Sequence, residues 1–100
     1  QVAQMSEVQR QMAEAPAAMV IANHAMGLYE LATIHLRQDP PNFDEAKLAI
    51  DSFAALVDSL QGHLGADEVT LNDGLAQIRL AFVQMQAAAG SGGESAEPAE

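Results

Sequence analysis

The stretch Asn42–Gly65, NFDEAKLAIDSFAALVDSLQGHLG, decides how the rest of the chain is read. Asn42 has a short side chain that can accept from the first free N–H groups of a helix, and Glu45 stands three places on, where a capping-box carboxylate reaches back. Asp44 falls in the first turn, where the helix dipole favours negative charge. Ala46, Ala49, Ile50, Phe53, Leu56, Val57, Leu60 and Leu64 recur at three and four residues, with Lys47, Asp51, Asp58 and Gln61 between them. At 100° per residue that spacing collects the apolar groups on one side. Gly65 supplies a stop signal. The stretch predicts a one-faced helix over about 43–64, and such a helix needs something to pack against.

Its partners lie on either side. Asp67 and Glu68 suit a first turn, and Leu71, Leu75, Ile78, Phe82 and Met85 form one stripe, which predicts a helix over about 67–88. The short Gly65-Ala66 connection makes these two helices antiparallel neighbours. Gly74 inside the second costs about 1 kcal/mol relative to Ala and suggests a close backbone approach. Upstream, Pro16 reads as a first-turn proline, and Asp39-Pro40-Pro41 ends the helix it opens at about residue 37. Val20, Ile21, Leu28, Leu31, Ile34 and Leu36 do not keep to one stripe, and Met19, Met26 and Tyr29 cover another face. A helix apolar nearly all round is buried on more than one side, so its surplus face calls for an N-terminal arm or a second chain. Residues 1–15 predict that arm, a thin amphipathic helix with Val2, Met5, Val8 and Met12 on its stripe. From Gly90 to Glu100 the composition turns to Gly, Ser, Ala, Pro and Glu, which predicts a disordered acidic tail. The fold class is all-α: a three-helix bundle over 16–89 with an additional N-terminal helical arm.

Composition limits what this fold can do. One hundred residues with one Tyr, three Phe and no Trp make a small core, and the absence of Cys removes disulfides and thiolate metal sites as supplements. Association is the supplement left. The net charge of -10 leaves only Arg10, Arg37, Lys47 and Arg79 as cations, too few and too scattered for a stripe that releases phosphate counterions. Direct nucleic-acid binding is therefore not expected. Nor is a membrane span: Asn23, His24, Glu30, Thr33 and His35 interrupt the most apolar window, Pro16–Leu36.

Chemistry-bearing residues are sparse. His24 and His35 lie eleven positions apart, on nearly one face but about 16 Å apart along the axis, too far to share one metal in one chain. Asp51 and Asp58 sit two turns apart outside the apolar stripe, where nothing separates their pKa values for acid and base work. Asp73 is read as a structural acid or a partner contact. No Gly-rich phosphate loop and no nucleophile elbow is present, so no enzyme activity, cofactor or metal is expected. Met5, Met12, Met19 and Met26 recur at intervals of seven, a spacing suited to an adaptable seam for a helix partner, though Pro16 must break or kink it.

The segment Ala32–Phe82 resembles the uncharacterised family called domain of unknown function 1844, in its actinobacterial form. The resemblance runs through Ala32-Thr33-Ile34-His35-Leu36, Asp44-Glu45-Ala46, Ile50-Asp51, Leu56-Val57-Asp58, Leu64-Gly65, Asp73-Gly74-Leu75, Ile78 and Leu80-Ala81-Phe82. The family pattern follows its His-Leu with Gly, where this chain has Arg37. The resemblance implies a small helical cytoplasmic protein and a link to translation, since members often stand beside translation initiation factor three. It also singles out His35 as the imidazole to watch.

Two functional expectations follow. In the first, the chain is a non-enzymatic interaction protein, self-associating or holding a helical partner through Met19, Val20, Met26 and Tyr29. In the alternative it is an acidic regulator binding a basic component of the translation or transcription machinery, such as a ribosome-associated protein, through Asp44, Asp51, Asp58 and Asp73.

Overall fold

A computed structural model describes the backbone of residues 2–96 and the side chains of residues 2–90. Among the described residues the chain is all-helical, in four helices: α1 (Val2–Glu14), α2 (Ala17–Leu36), α3 (Phe43–Ser59) and α4 (Asp67–Ala96). The last three pack on one another in every pairing, α2 against α3 most extensively, whereas α1 packs on none of them. The radius of gyration is 18.6 Å, against about 13 Å for a compact domain of this length, so the molecule is elongated.

Helix α3 lies at the centre because its stripe is the richest. Ala46, Ala49, Ile50, Phe53, Val57 and Leu60 are buried, and Leu56 and Leu64 pack partly against them. Phe53 is fully covered, and its ring meets that of Tyr29 edge-on at a centroid distance of 5.7 Å. Removing a ring of that size from water stabilises by roughly 1.5–3 kcal/mol. A second edge-on pair, Phe43 with Phe82 at 5.6 Å, joins the start of α3 to α4. On α2 the buried positions are Ala25, Ala32 and Leu36, which belong with Ala46 and Ala49 of α3 to one core cluster whose small side chains permit close helix packing. Leu71 and Ile78 complete the core from α4.

The helix ends show which local signals operate. The Asn42 side chain accepts from the Glu45 N–H at 3.2 Å, as an N-cap should. Its own N–H donates to the His35 carbonyl at 3.0 Å instead of to Glu45, so only half of the expected capping box forms, and the loop is tied back onto α2. Pro16 is extended (φ -60°, ψ 132°) and occupies the N-cap rather than the first turn. Helix α3 stops at Ser59, earlier than Gly65. The Ser59 hydroxyl donates to the Leu56 carbonyl and the Gln61 amide to that of Val57, satisfying last-turn acceptors. Gly62, at φ +85°, then turns the chain before Gly65 does. The Gly62 N–H donates to the Glu68 carboxylate, and the Gln61 amide reaches Asn72 at 3.2 Å, which fixes the turn against α4.

One expectation needs correction. Helix α4 runs through Gly90 to Ala96, where a disordered tail is expected from Gly90. Ala87-Ala88-Ala89, the best helix formers, carry the helix into the Gly-rich stretch; residues 97–100 of the expected tail lie outside the described residues. Helix α2 keeps its surplus apolar face uncovered within the chain: Met19, Met26, Leu31 and Ile34 stay exposed, since only one side of it meets α3 and α4 and the arm α1 does not pack on it.

Candidate functional site

Apolar side chains left in water are the chemistry this surface offers. On α1, Val2, Met5, Val8 and Met12 lie on one side and are 56–79% exposed. The opposite side holds the arm's charges: Arg10 donates to Glu7 and, at 2.8 Å, to Glu14. Those hydrogen bonds, Glu7 first and Glu14 second, raise the guanidinium pKa above its ordinary value. The arm is thus amphipathic, with its charges paired within the helix and its apolar side unpartnered. Its isolated length, 13 residues, is marginal for a helix in water without a packing partner.

The Ala15–Pro16 break leads into α2, where Met19 and Met26 are 52% and 44% exposed. No Asp, Glu, Lys or Arg occurs between residues 15 and 29, in a chain of net charge -10. Val20 is half-buried, and Tyr29 departs from the expected surface role: its ring is turned inward against Phe53. The structure therefore keeps Met19 and Met26 together on an exposed edge, with Tyr29 half-buried beside Met26 at the margin of the core. Leu31 and Ile34, which the sequence reading does not select, are 41% and 53% exposed on the outward side of α2. Their signal lies in Ala25 and Ala32: small residues mark the closely packed side, and at 100° per residue Val20, Leu31 and Ile34 fall opposite them.

The four acids do not form one patch. Asp51 and Asp58 line one groove between α3 and α4, about 600 Å³ in volume, which also holds Gln61, Asn72 and Arg79. Asp51 accepts from Lys47 at 2.8 Å on the exposed side of α3. Asp73 lines a separate cleft of about 330 Å³ with Met26, Tyr29 and Gly74, and Asp44 sits in the first turn of α3. A larger cleft of about 670 Å³ lies between the end of α2 and α4, walled by Tyr29, Leu36, Ile78, Ala81 and Met85 with Arg37 at its edge.

The imidazoles are dispersed. His24 is exposed, with Nδ1 2.9 Å from the Val20 carbonyl, so that nitrogen donates within its own helix. His35 is half-buried in the last turn of α2, and its carbonyl, not its ring, holds the loop through Asn42. Among the described residues, no group of three or more His, Asp or Glu side chains is placed to hold a metal. No described helix is long and apolar enough to cross a membrane. No known protein family, curated protein or solved structure matches the chain.

Proposed function

We propose that the chain is a non-enzymatic interaction protein: a three-helix bundle of α2, α3 and α4 that carries α1 as an arm and associates, first of all with itself, through the apolar side of α2. One observation carries this reading. Met19, Met26, Leu31 and Ile34 are exposed together on a helix whose first half is free of charge, in a chain of net charge -10; Leu48, Val69, Leu80 and Val83 are also exposed, but on helices that carry acids from their first turn. Apolar groups in that setting favour burial against a like surface at little cost in desolvated charge.

The acidic alternative, contact with a basic component of translation or transcription, draws support from the groove shared by Asp51 and Asp58. Arg79 in the same groove and Lys47 on Asp51 offset part of its charge within the chain. The resemblance to the uncharacterised family points this alternative toward translation.

Static light scattering on the intact chain, across concentration and at low and high salt, separates the two. Self-association through α2 gives a mass above one chain that persists near 1 M salt, where the Debye length is about 3 Å and the mutual repulsion of acidic chains is screened. A single-chain mass at every concentration and salt overturns self-association.

A further inference from the structure

We infer that the arm is the element that completes this association, docking across a two-fold axis onto α2 of a second copy of this chain, with Met5 and Met12 facing Met26 and Met19 of that copy. This rests on the self-association proposed above and adds its register.

The positions of the methionines carry the inference. In an antiparallel pairing each residue number and its partner's number have a constant sum, and Met5 with Met26 and Met12 with Met19 share the same one, 31. The axis of such a pairing falls between Ala15 and Pro16, where α1 ends and α2 begins. A surface that meets itself about a two-fold axis must be self-complementary in this way, residue i against j and j against i. Methionine, unbranched and polarisable, suits a seam whose two sides are the same residue type. Ala13, Ala15, Ala17 and Ala18 flank the axis and keep the chains' centre slim.

Charge selects a second copy over a basic partner. Two chains of net charge -10 repel wherever their acids face each other, and residues 15–29 are the stretch of α2 without acids. The arm presents no charge to this seam either, because Glu7, Arg10 and Glu14 are engaged with one another on its far side. A basic partner finds no counter-charge here. The apolar area of the seam supplies part of what a dimer needs. Val2, Met5, Val8, Met12, Met19 and Met26 are each roughly half exposed or more. At about 100 Å² per fully exposed large apolar side chain, two copies bring roughly 700 Å² of apolar surface from these residues. Flanking Gln, Asn and Ala bring the contact toward the roughly 1,200 Å² at which specific interfaces begin.

The test is charge exchange in the intact chain, read by light scattering. Met12→Glu alone should weaken dimerisation at least tenfold, and joining it to Met19→Lys should restore most of the loss, since each replaced pair then meets as opposite charges. Met12→Glu joined to Met26→Lys has the same net charge in the wrong register and should not restore it. All three positions are exposed, so helicity and melting of the dilute variants should match the parent and show that folding is intact. A parent chain that is monomeric throughout overturns the underlying association. A parent dimer that tolerates Met12→Glu, or is rescued equally by both lysine positions, overturns the arm register while leaving association through α2 standing.

Discussion

Phe53 and Met12 are both apolar residues on amphipathic helices, and they meet opposite fates. Phe53 is fully covered by α2, α3 and α4, while Met12 on α1 is 59% exposed and touches no other helix. The difference lies in what surrounds each stripe. Helix α3 has six apolar positions on its stripe, continued by Leu60 and Leu64 beyond its end, and two neighbours, each joined to it by a short loop, so closing the hairpins costs little entropy and the burial repays it. Helix α1 has four such positions, reaches α2 through an extended proline and packs on no other helix. One region is built to stabilise a single chain; the other adds nothing to it. Substitutions in the two regions should therefore separate stability from association.

The largest effect is expected at the centre. Phe53→Ala leaves a cavity between three helices and should cost about 3–5 kcal/mol, a large part of the 5–15 kcal/mol that holds a typical domain. Met12→Ala, measured in dilute protein, should change stability by less than about 0.5 kcal/mol. Urea denaturation of both variants checks the comparison. A comparable loss for Met12→Ala would break it, because the arm would then be docked within its own chain.

A smaller effect sharpens the contrast within a single helix. Ala32 is completely buried on the packed side of α2, and Leu31 beside it is 41% exposed. Adding bulk at the first overpacks a contact built from small residues, so Ala32→Leu should cost about 1–3 kcal/mol. Leu31→Ala should leave the midpoint of urea unfolding nearly unchanged. If Ala32→Leu instead stabilises, the small-residue contact is looser than the structure has it.

These adjacent positions also explain how much could be read in advance. The stripe of α3 is legible because its polar side chains fall cleanly between the apolar ones; its five buried positions, and Leu60 just beyond its end, all lie on the expected stripe. The start of α4 was legible from Asp67 and Glu68, and Asn42 from its side chain. The orientation of α2 is not legible, since Ala25 and Ala32 are fully buried with Leu36 while Met19, Met26, Leu31 and Ile34 face water, so hydrophobicity alone does not pick the packed side. The inward turn of the Tyr29 ring depends on Phe53 of another helix, which no spacing within α2 reports. The early stop of α3 depends on side chains of Ser59 and Gln61 capturing carbonyls, a competition that leaves no periodic trace. The arm's register is different in kind, for it concerns contacts that a single chain does not contain.

Gly74 offers the smallest effect, and its sign is opposite to the others. It sits within α4, where glycine costs about 1 kcal/mol relative to alanine, and a glycine in such a place suggests a neighbour too close for a side chain. A Cβ there would lie 3.6 Å from the Tyr29 ring and 4.0 Å from that of Phe53, which is ordinary van der Waals contact rather than collision. The cleft beside it, bounded by Met26, Tyr29 and Asp73, has about 330 Å³ and room for a methyl group. Gly74→Ala should therefore stabilise the chain by about 0.5–1 kcal/mol, partly by restricting the unfolded state and partly by filling that space. For a domain of this size 1 kcal/mol raises the melting temperature by about 4–8 °C, which calorimetry resolves. A loss of stability would mean that α2 and α4 sit closer than the structure places them, and the Tyr29–Phe53 pair would then be the contact to move. A gain, with association unchanged, would show that the core still has slack while the methionine edge beside it serves a separate purpose.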